Sequence, residues 1–481
     1  MESTSDTTKV IDYVKEQFFG HYLEGLKEFV RIPSLAPLYD PKWQENGHLY
    51  RQCDHLESFA KAQNIKGCTI TPIKDAGRSP FLIVNVEPSD PANTNCVLLY
   101  GHMDKQPFGE GWVTDPCDPV IKDGKMWGRG SVDDGYAFFS AVLAIKACQE
   151  NGLSHPRCVI TIEGSEEGEI DDLLYYIQSY KHLMGHPNMV ICLDAGASST
   201  DCLSITSTLR GYLDFDVKVR VADNNMHSGI ASGICPNPFH IMMTLLQRLQ
   251  DFKTQQLIDE LQVQIPEHRI HECHSIANKL PLLSKSLPML DQVKSQGYKE
   301  GVSKEEENYA LIINNSWRPS LSVTGFEGLP PFEKAGNVIY KELKMRCSLR
   351  LPPGLTAKAA AEIVRGKLTE KRDDETYNAQ IDVIIGEGGN GFDAPKLPDL
   401  IHDKFNASHK SVFGDENLPM FIGCGGSIPF MEVFEQNFPG TQFLLTGCGF
   451  LDCNAHSANE NLDLDYCRKL TTVVSLLLSK M

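Results

Sequence analysis

The sequence contains no long apolar run, and its first residues carry no leader. Its longest apolar stretches, such as Val97–Tyr100 and Leu476–Leu478, are far shorter than the roughly 18 residues that a membrane span requires. The opening MESTSDTTKVIDYV is polar and acidic, without the charged and then apolar segments of a secretory signal. These absences predict a protein that neither crosses a membrane nor enters the secretory pathway.

Paired cysteines are also lacking. Fifteen cysteines are scattered between Cys53 and Cys467 without paired spacing, and their number is odd. Disulfide frameworks are typical of oxidising compartments and of regularly spaced, even sets of cysteines. The cysteine pattern therefore predicts reduced thiols and a cytoplasmic location.

The sequence has fewer basic than acidic residues. The 45 lysines and arginines are outnumbered by 63 acidic residues, which gives a net charge of −18. Nucleic acids and anionic membranes both attract clustered positive charge, so we expect neither as a partner. The 481 residues, 41% hydrophobic and 22% charged, correspond to a soluble globular chain of two or three domains.

The order of apolar segments predicts an α/β fold. Residues 8–32 have apolar side chains at helical spacing, and this pattern stops at Ile32-Pro33-Ser34, which indicates an opening amphipathic helix. Short apolar runs then alternate with helical stretches as far as about residue 193. This alternation is typical of a mostly parallel central sheet flanked by helices.

The pattern changes near residue 208, where an inserted α+β domain is expected. Tyr212–Val221 alternates strictly between apolar and polar residues, as a half-exposed strand does. Further strand-like and helical segments follow, with a polar and irregular stretch over 251–310. The predicted organisation is an α/β domain formed by 1–207 and 391–481, with the inserted domain at 208–390.

Acids and imidazoles follow successive predicted strands of the α/β domain. His102 and Asp104 follow the first of these strands, the acidic run 163–169 follows the second and Asp194 follows the third. Ligand sites in such sheets lie at the carboxyl ends of strands. A His-x-Asp pattern alone is usually structural, and Asp133, in a glycine-rich turn, is also suited to capping a helix. Three strand ends with the same chemistry favour a site.

A second imidazole, His456, follows a late predicted strand. Two histidines and three carboxylates suit a pair of zinc ions, with manganese or cobalt as alternatives. Of the adjacent Glu166 and Glu167, one can bind metal while the other stays free as a base. Asp104 is placed to accept the second ring N–H of His102, as carboxylates near metal-binding histidines do.

The motifs, taken in order, resemble one known family. They are GHMD, WGRGSVDDG, EGSEEGE, ICLDAG, LRGYLDFDVKV, MHSGIASGICPNPFHI, CSLRLPPG, GGSIPFM and NAHSANE. Together they resemble the carnosinase and cytosolic nonspecific dipeptidase branch of the aminoacylase-type dinuclear zinc metallopeptidases. The resemblance covers almost the whole chain and implies a two-metal catalytic domain with an inserted lid that also forms a homodimer.

The resemblance also implies roles for individual residues of the α/β domain. His102 and Asp194 would bind the first metal and Asp133 would bridge both. The second metal would be bound by Glu167 and His456. Catalysis would use Glu166 as general base, with Asp104 orienting His102.

In the inserted domain, the resemblance implies one catalytic residue and several substrate contacts. His227 would reach the site of the partner subunit and stabilise the oxyanion. Arg350 would hold the terminal carboxylate of a small peptide substrate. Further substrate contacts would come from Asn337 and Ser427.

Three departures from the family pattern bear on substrate preference. A lysine usual beside the bridging acid is replaced by Gly135, an Arg-Glu pair before GGSIP is replaced by Gly423-Cys424, and a usual threonine is replaced by Asn337. No predicted metal ligand is lost. Dipeptide hydrolysis is therefore the expected activity, with N-acyl amino acid deacylation as the alternative and a catalytically silent scaffold as the third possibility.

Overall fold

The structure is a computed structural model that describes residues 4–426 and 429–481. These residues form two compact units. The first contains the described chain up to Ser207 with Ala394–Ile422 and Val433–Met481, and the second contains Thr208–Asp393 with the described part of Gly423–Glu432. Residues 391–393 and the described part of 423–432, which the prediction assigns to the α/β domain, therefore belong to the second unit.

The described chain contains strands and helices throughout. The strands are β1 (Cys68–Ile73), β2 (Phe81–Val86), β3 (Cys96–His102), β4 (Val120–Lys122), β5 (Lys125–Trp127), β6 (Arg157–Glu163), β7 (Met189–Cys192), β8 (Ser204–Leu209), β9 (Gly211–Arg220), β10 (Met226–His227), β11 (Ser320–Glu327), β12 (Val338–Ile339), β13 (Glu342–Leu351), β14 (Gln380–Gly389), β15 (Phe392–Asp393), β16 (Met420–Cys424), β17 (Gln442–Leu445) and β18 (Asn461–Asp463). The α-helices are Thr4–Gln17, Leu23–Arg31, Trp43–Asn46, His48–Ala62, Tyr136–Glu150, Asp171–Met184, Ser228–Ala231, Pro238–Gln247, Glu267–Ala277, Lys304–Ser316, Ala357–Thr369, Asp373–Thr376, Asp399–Phe413, Pro429–Asn437 and Leu464–Lys480.

The first unit is built on a mixed sheet with the strand order β1-β2-β6-β3-β7-β17-β8. The α/β class is confirmed, but the sheet is not mostly parallel. The four neighbouring strands β6, β3, β7 and β17 run parallel to one another, and the pairings that flank these four strands are antiparallel. The connection from β1 to β2 is too short for the crossover that parallel strands need, so this pair can only be antiparallel.

Apolar helices cover the sheet. Tyr136–Glu150 is buried along nearly its whole length and packs against the closing helix Leu464–Lys480. A helix that is apolar on all sides is expected in such a buried position. Among the described residues, no helix is both long enough and apolar enough to cross a membrane.

The opening helix differs from the prediction. Two α-helices, Thr4–Gln17 and Leu23–Arg31, replace the single helix expected over 8–32, and the wider turn Phe18–Tyr22 separates them. Gly20 in that turn has φ −99° and ψ −115°, outside the helical region. Glycine adopts such backbone angles at little cost, and the helix is interrupted there.

The second unit has a four-stranded antiparallel sheet in the order β11-β13-β9-β14, which confirms the expected α+β character. Its core joins buried residues of the sheet with residues from the helices Pro238–Gln247 and Ala357–Thr369. Thr356 caps the latter helix, because its hydroxyl accepts the backbone N–H of Ala359 at 3.2 Å. The unit thus has a helical layer on its sheet.

The stretch 251–310, expected to be irregular, contains helical structure. Glu267–Ala277 is a helix, and Lys304–Ser316 begins within the stretch. Ser303 and Glu306 form a reciprocal capping box at the start of the second helix. The Ser-x-x-Glu pattern was a usable signal for this helix start, although it lies in a segment of high polarity.

Candidate metal centre

Strand ends bring functional side chains to one edge of the first unit's sheet. β3 ends at His102, and Asp194 follows shortly after β7. Within the parallel ladder, His102 pairs with Glu163 at the end of β6, and Tyr100 pairs with Cys192 at the end of β7. The loops that leave these strands therefore begin at the same edge, which is the usual location of ligand sites in such sheets.

His102, Asp133 and Asp194 form a first group of potential ligands. Nε2 of His102 lies 3.0 Å from Oδ1 of Asp133 and 3.9 Å from Oδ2 of Asp194. Its other ring nitrogen, Nδ1, lies 3.0 Å from the backbone carbonyl oxygen of Asp104. A carbonyl oxygen can only accept a hydrogen bond, so Nδ1 carries a proton and Nε2 is the nitrogen suited to a cation.

Asp133, Glu167 and His456 form a second group, so Asp133 belongs to both. Nε2 of His456 lies 2.9 Å from Oδ2 of Asp133 and 3.3 Å from Oε2 of Glu167. His456 has a left-handed backbone with φ +60°, a strained conformation that clusters at functional sites. The two oxygens of Asp133 face different histidines, as a carboxylate that bridges two cations would.

The donor set fits two divalent cations. Within each group the potential ligand atoms lie within 4.8 Å of one another. Oε1 of Glu167 is buried and has no hydrogen-bond partner among the described residues, although buried polar oxygens normally have one. A bound cation would supply that partner. Imidazole nitrogens and carboxylate oxygens are suitable ligands of zinc and related divalent metals.

Burial and mutual repulsion perturb the carboxyl groups. Burial, followed by the charge of Asp133, raises the pKa of Glu167 to about 9. Burial and Asp133 also raise the pKa of Asp194 to about 6. Although burial opposes it, hydrogen bonds from His102 and His456 lower the pKa of Asp133. Positive charge between these groups would relieve the repulsion that disfavours their ionised forms.

Asp104 joins His102 to the acidic loop. Its carboxylate Oδ1 lies 3.5 Å from Nδ1 of His102, farther than its own backbone carbonyl oxygen at 3.0 Å. The carboxylate accepts the backbone N–H of Glu166 at 3.2 Å and that of Glu167 at 3.0 Å. The main chain of Asp104 thus contacts the imidazole, while its side chain fixes the loop that carries both glutamates.

Glu166 lies near the ligand groups but belongs to neither of the groups found among the described residues. Burial, followed by the charges of Asp194 and the neighbouring glutamates, raises its pKa. A carboxyl group in this position can exchange a proton with a bound reactant. A cavity of about 430 Å³ opens beside the site and is lined in part by Asp133, Asp194 and Phe450, a volume suited to a small ligand.

His227 and Asn337 lie together in the second unit. His227 pairs with Val338, the residue after Asn337, across the short ladder β10–β12. The side chain of His227 is exposed, and its Nδ1 accepts the backbone N–H of Gly229 at 3.1 Å. Nε2 is therefore the protonated nitrogen and is available as a donor. The backbone oxygen of Asn337 accepts the N–H of Ser228 at 2.9 Å.

Arg350 also lies in the second unit, on β13, where it pairs with Tyr212 of β9. It is half-buried. Burial and the charge of Arg350 lower the pKa of Arg210 to about 10, so two guanidinium groups lie close enough to repel each other. Ser427, the remaining predicted substrate contact, lies outside the described residues.

Two departures from the family pattern have local structural reasons. A Cβ atom at Gly135 would lie 2.4 Å from the carbonyl oxygen of Gly130, so a larger residue there would require the backbone to shift. A Cβ atom at Gly423 would lie 2.3 Å from that of Ser316. Cys424 accepts the backbone N–H of Gly426 through Sγ at 3.4 Å, a contact within its own turn.

Three residues near the centre were not predicted. Nε2 of Gln106 donates to Oε2 of Glu167 at 2.7 Å. Arg129 and Glu460 form a buried ion pair at 2.8 Å between Nη1 and Oε2. Both charged residues stand inside motifs quoted above, WGRGSVDDG and NAHSANE, but nothing in either motif indicates that the two residues pair.

Comparisons with known proteins agree on one family. The profile of peptidase family M20/M25/M40 matches residues 98–480. The Cys-Gly metallodipeptidase of Saccharomyces cerevisiae is 29% identical over 96% of this chain and 95% of its own length. The Beta-Ala-His dipeptidase of Homo sapiens is 27% identical over 95% of this chain and 89% of its own. The crystal structure of human carnosine dipeptidase 1 has the same fold, with a TM-score of 0.72, 23% identity and 98% of each chain covered.

Proposed function

Because the chain belongs to peptidase family M20/M25/M40, we propose that it hydrolyses the peptide bond of dipeptides with two divalent cations. The observation that carries this proposal is the pair of ligand groups that share Asp133. The names of its relatives, among them Cys-Gly and Beta-Ala-His dipeptidases, support a dipeptide as substrate. The cavity beside Asp133 and Asp194 offers room for a substrate of that size.

Two bound cations would act as Lewis acids and lower the pKa of a bound water towards about 7. His102 and Asp194 would hold one of them, Glu167 and His456 the other, and Asp133 both. Zinc is the proposed metal, and manganese and cobalt accept the same donors.

Glu166 performs the proton transfers in this proposal. Its carboxylate takes the proton of the attacking water as the bond to the substrate carbonyl carbon forms. It then returns that proton to the leaving amine as the peptide bond breaks, so its protonation state is restored. The loop that carries Glu166 is held by Asp104, whose carboxylate accepts the backbone N–H groups of Glu166 and Glu167. Asp104 thereby keeps the base near the ligand groups.

The second unit contributes recognition. Nε2–H of His227 donates to the oxyanion of the tetrahedral intermediate, and it does so in the site of a partner subunit, so the protein works as a homodimer. Arg350 holds the terminal carboxylate of the substrate through its planar guanidinium. Asn337 and Ser427 add polar contacts. The cysteine pattern supports a cytoplasmic protein.

The activity is tested with a panel of dipeptides and matching N-acetyl amino acids. The protein is stripped of metal and assayed before and after zinc or manganese is restored. We expect hydrolysis of free-amine dipeptides that depends on added metal. Hydrolysis of acetylated substrates alone would replace the proposal by N-deacylation, and a protein that binds metal but cleaves neither class would be a silent member of the family.

A further inference from the structure

Arg129 and Glu460 form an ion pair directly behind the metal-binding edge. The side chains are 1% and 0% exposed, and Nη1 of Arg129 lies 2.8 Å from Oε2 of Glu460. The ring of Trp112 covers the guanidinium, with its centroid 5.5 Å from Cζ. Neither residue belongs to the two ligand groups.

Glu460 holds the backbone of the turn that carries Asp133. Its Oε2 accepts the N–H of Gly130 at 3.1 Å. Its Oε1 accepts the N–H of Val132 at 3.0 Å and that of Asp133 at 3.2 Å. One carboxylate therefore receives three backbone N–H groups from four consecutive residues, which fixes the position of the Asp133 backbone.

Arg129 joins two further segments to that turn. Its Nη2 donates to the carbonyl oxygen of Pro107 at 2.9 Å and to that of Ser457 at 3.1 Å. Pro107 follows Gln106, whose side chain donates to Glu167, and Ser457 follows His456. The pair thus contacts the backbone segments that carry Asp133 and His456, and the segment whose Gln106 side chain donates to Glu167.

Stability alone is a poor explanation for this pair. Removing two charges from water is costly, and buried ion pairs are often no more stabilising than apolar residues of similar size. Their best-attested use is to fix one arrangement of neighbouring elements. Here the loop 454–459 contains three non-glycine residues with left-handed φ, Asn454, His456 and Asn459, a conformation that persists only where surrounding contacts impose it.

We propose that the Arg129–Glu460 pair is a positioning device that holds Asp133, His456 and the Gln106–Glu167 contact in the geometry needed for the second cation. The inference rests on the proposed two-cation function. It assigns no contact with substrate to either residue. Each acts through the backbone of its neighbours, and loss of the pair leaves every ligand present but misplaced.

The test compares Arg129→Met with a matched control, Arg248→Met. Arg248 is a buried arginine of the second unit that likewise binds one carboxylate, Glu375 at 2.9 Å, and two backbone carbonyl oxygens, those of Lys367 and Glu370. Calorimetric titration of metal-free protein with zinc should give about 10–100-fold weaker binding at the second site for Arg129→Met, as loss of contacts behind metal ligands does. Arg248→Met should bind zinc like the wild type, even where its melting temperature falls equally.

Hydrogen exchange on the metal-free proteins provides a second readout. The N–H groups of Gly130, Val132 and Asp133 should exchange faster in Arg129→Met than in the wild type. Their exchange rates in Arg248→Met should equal those of the wild type. If the wild type binds no zinc, the proposed function fails, and the exchange result still decides whether the pair holds this turn.

Glu460→Asp covers the case in which Arg129→Met does not fold. It keeps the buried charge balance, but its shorter side chain cannot reach both Arg129 and the three N–H groups. We expect the same weakening of zinc binding. Wild-type zinc affinity and wild-type exchange in a folded Arg129→Met or Glu460→Asp protein would overturn the proposal and leave the pair a purely structural contact.

Discussion

The two units carry their functional residues in different ways. In the first, strand ends and a glycine-rich turn converge, so that Asp133 and Asp194 both lie within hydrogen-bond or ion-pair distance of His102. In the second, His227 and Arg350 lie on different strands, of separate sheets, and neither joins a group of potential metal ligands among the described residues. The first unit therefore gathers potential metal ligands by itself, whereas the second carries single polar side chains.

The largest effect is expected from removing Asp133, the ligand that both groups share. Asp133→Ala should lose both cations and all measurable turnover, because Asp133 belongs to both groups. His456→Ala should weaken the binding of chiefly one cation. Elemental analysis of purified proteins measures the difference, with the exposed Asp374→Ala as control. Two tightly held metals per chain in Asp133→Ala would contradict the assignment.

A smaller loss is expected when the base is altered and the ligands are kept. Glu166→Gln should retain near-normal metal content while turnover falls by about 10²–10⁴-fold, the usual contribution of a general base. Glu169→Gln, an exposed change in the same acidic run, is the control and should stay active. Activity of Glu166→Gln within about tenfold of wild type would mean that the roles of Glu166 and Glu167 are exchanged.

The second unit's contribution is tested by mixing subunits. His227→Ala should lower turnover by about 10²–10³-fold through the lost oxyanion donor. If that donor comes from the partner subunit, mixing His227→Ala with Glu166→Gln should create hybrid dimers with one intact site of two. Activity should then rise towards about a quarter of wild type, since about half of the dimers are hybrids. If the mixture exchanges subunits but stays inactive, His227 either acts in the site of its own chain or has no role in catalysis.

The contrast also explains what the sequence could and could not predict. The strand-end residues were predictable because the carboxyl ends of parallel strands lie at one edge of the sheet. A motif that follows such a strand therefore lies at that edge. The mixed character of the sheet was harder to predict, since apolar runs give no strand direction and only a short connection, such as that from β1 to β2, indicates an antiparallel pair. The interrupted opening helix turned on Gly20, and the helix Lys304–Ser316 on Ser303 and Glu306, which are single local signals within long stretches of other character.

Positioning residues form a third case. Arg129 and Glu460 lie far apart in sequence, and their ion pair exists only through the tertiary fold. Charged residues inside glycine-rich or polar motifs are more often exposed, so neither sequence position indicates a fully buried pair. Gln106 is similar, because its contact with Glu167 joins two loops.

The stability of the metal-free protein should depend on pH through the carboxyl groups of the candidate metal centre. Folding raises the pKa of Glu167 from 4.5 to about 9 and that of Asp194 from 3.8 to about 6. The folded state then binds more protons than the unfolded chain above about pH 4, so these groups lower the stability of metal-free protein as pH rises towards 9.

Differential scanning calorimetry between pH 5 and 9 measures this effect. The melting temperature of metal-free protein should fall by several degrees relative to Glu167→Gln, which lacks the main titrating group. Zinc should remove the difference in slope, because its binding favours the deprotonated ligands. Equal slopes for metal-free wild type and Glu167→Gln would show that the repulsion does not limit stability.

The smallest effect concerns a helix of the second unit that carries no predicted chemistry. The hydroxyl of Ser303 accepts the backbone N–H of Glu306 at 3.2 Å, and the Glu306 carboxylate accepts the N–H of Ser303 at 2.8 Å. Ser303→Ala should destabilise the protein by about 1 kcal/mol, the usual cost of losing such a cap. Ser303→Asp should restore most of it, and the exposed Ser286→Ala should change little. Denaturant unfolding measures the loss. Zinc titration should give wild-type affinity in all three variants, and a changed zinc affinity in Ser303→Ala alone would show that the second unit influences the metal edge after all.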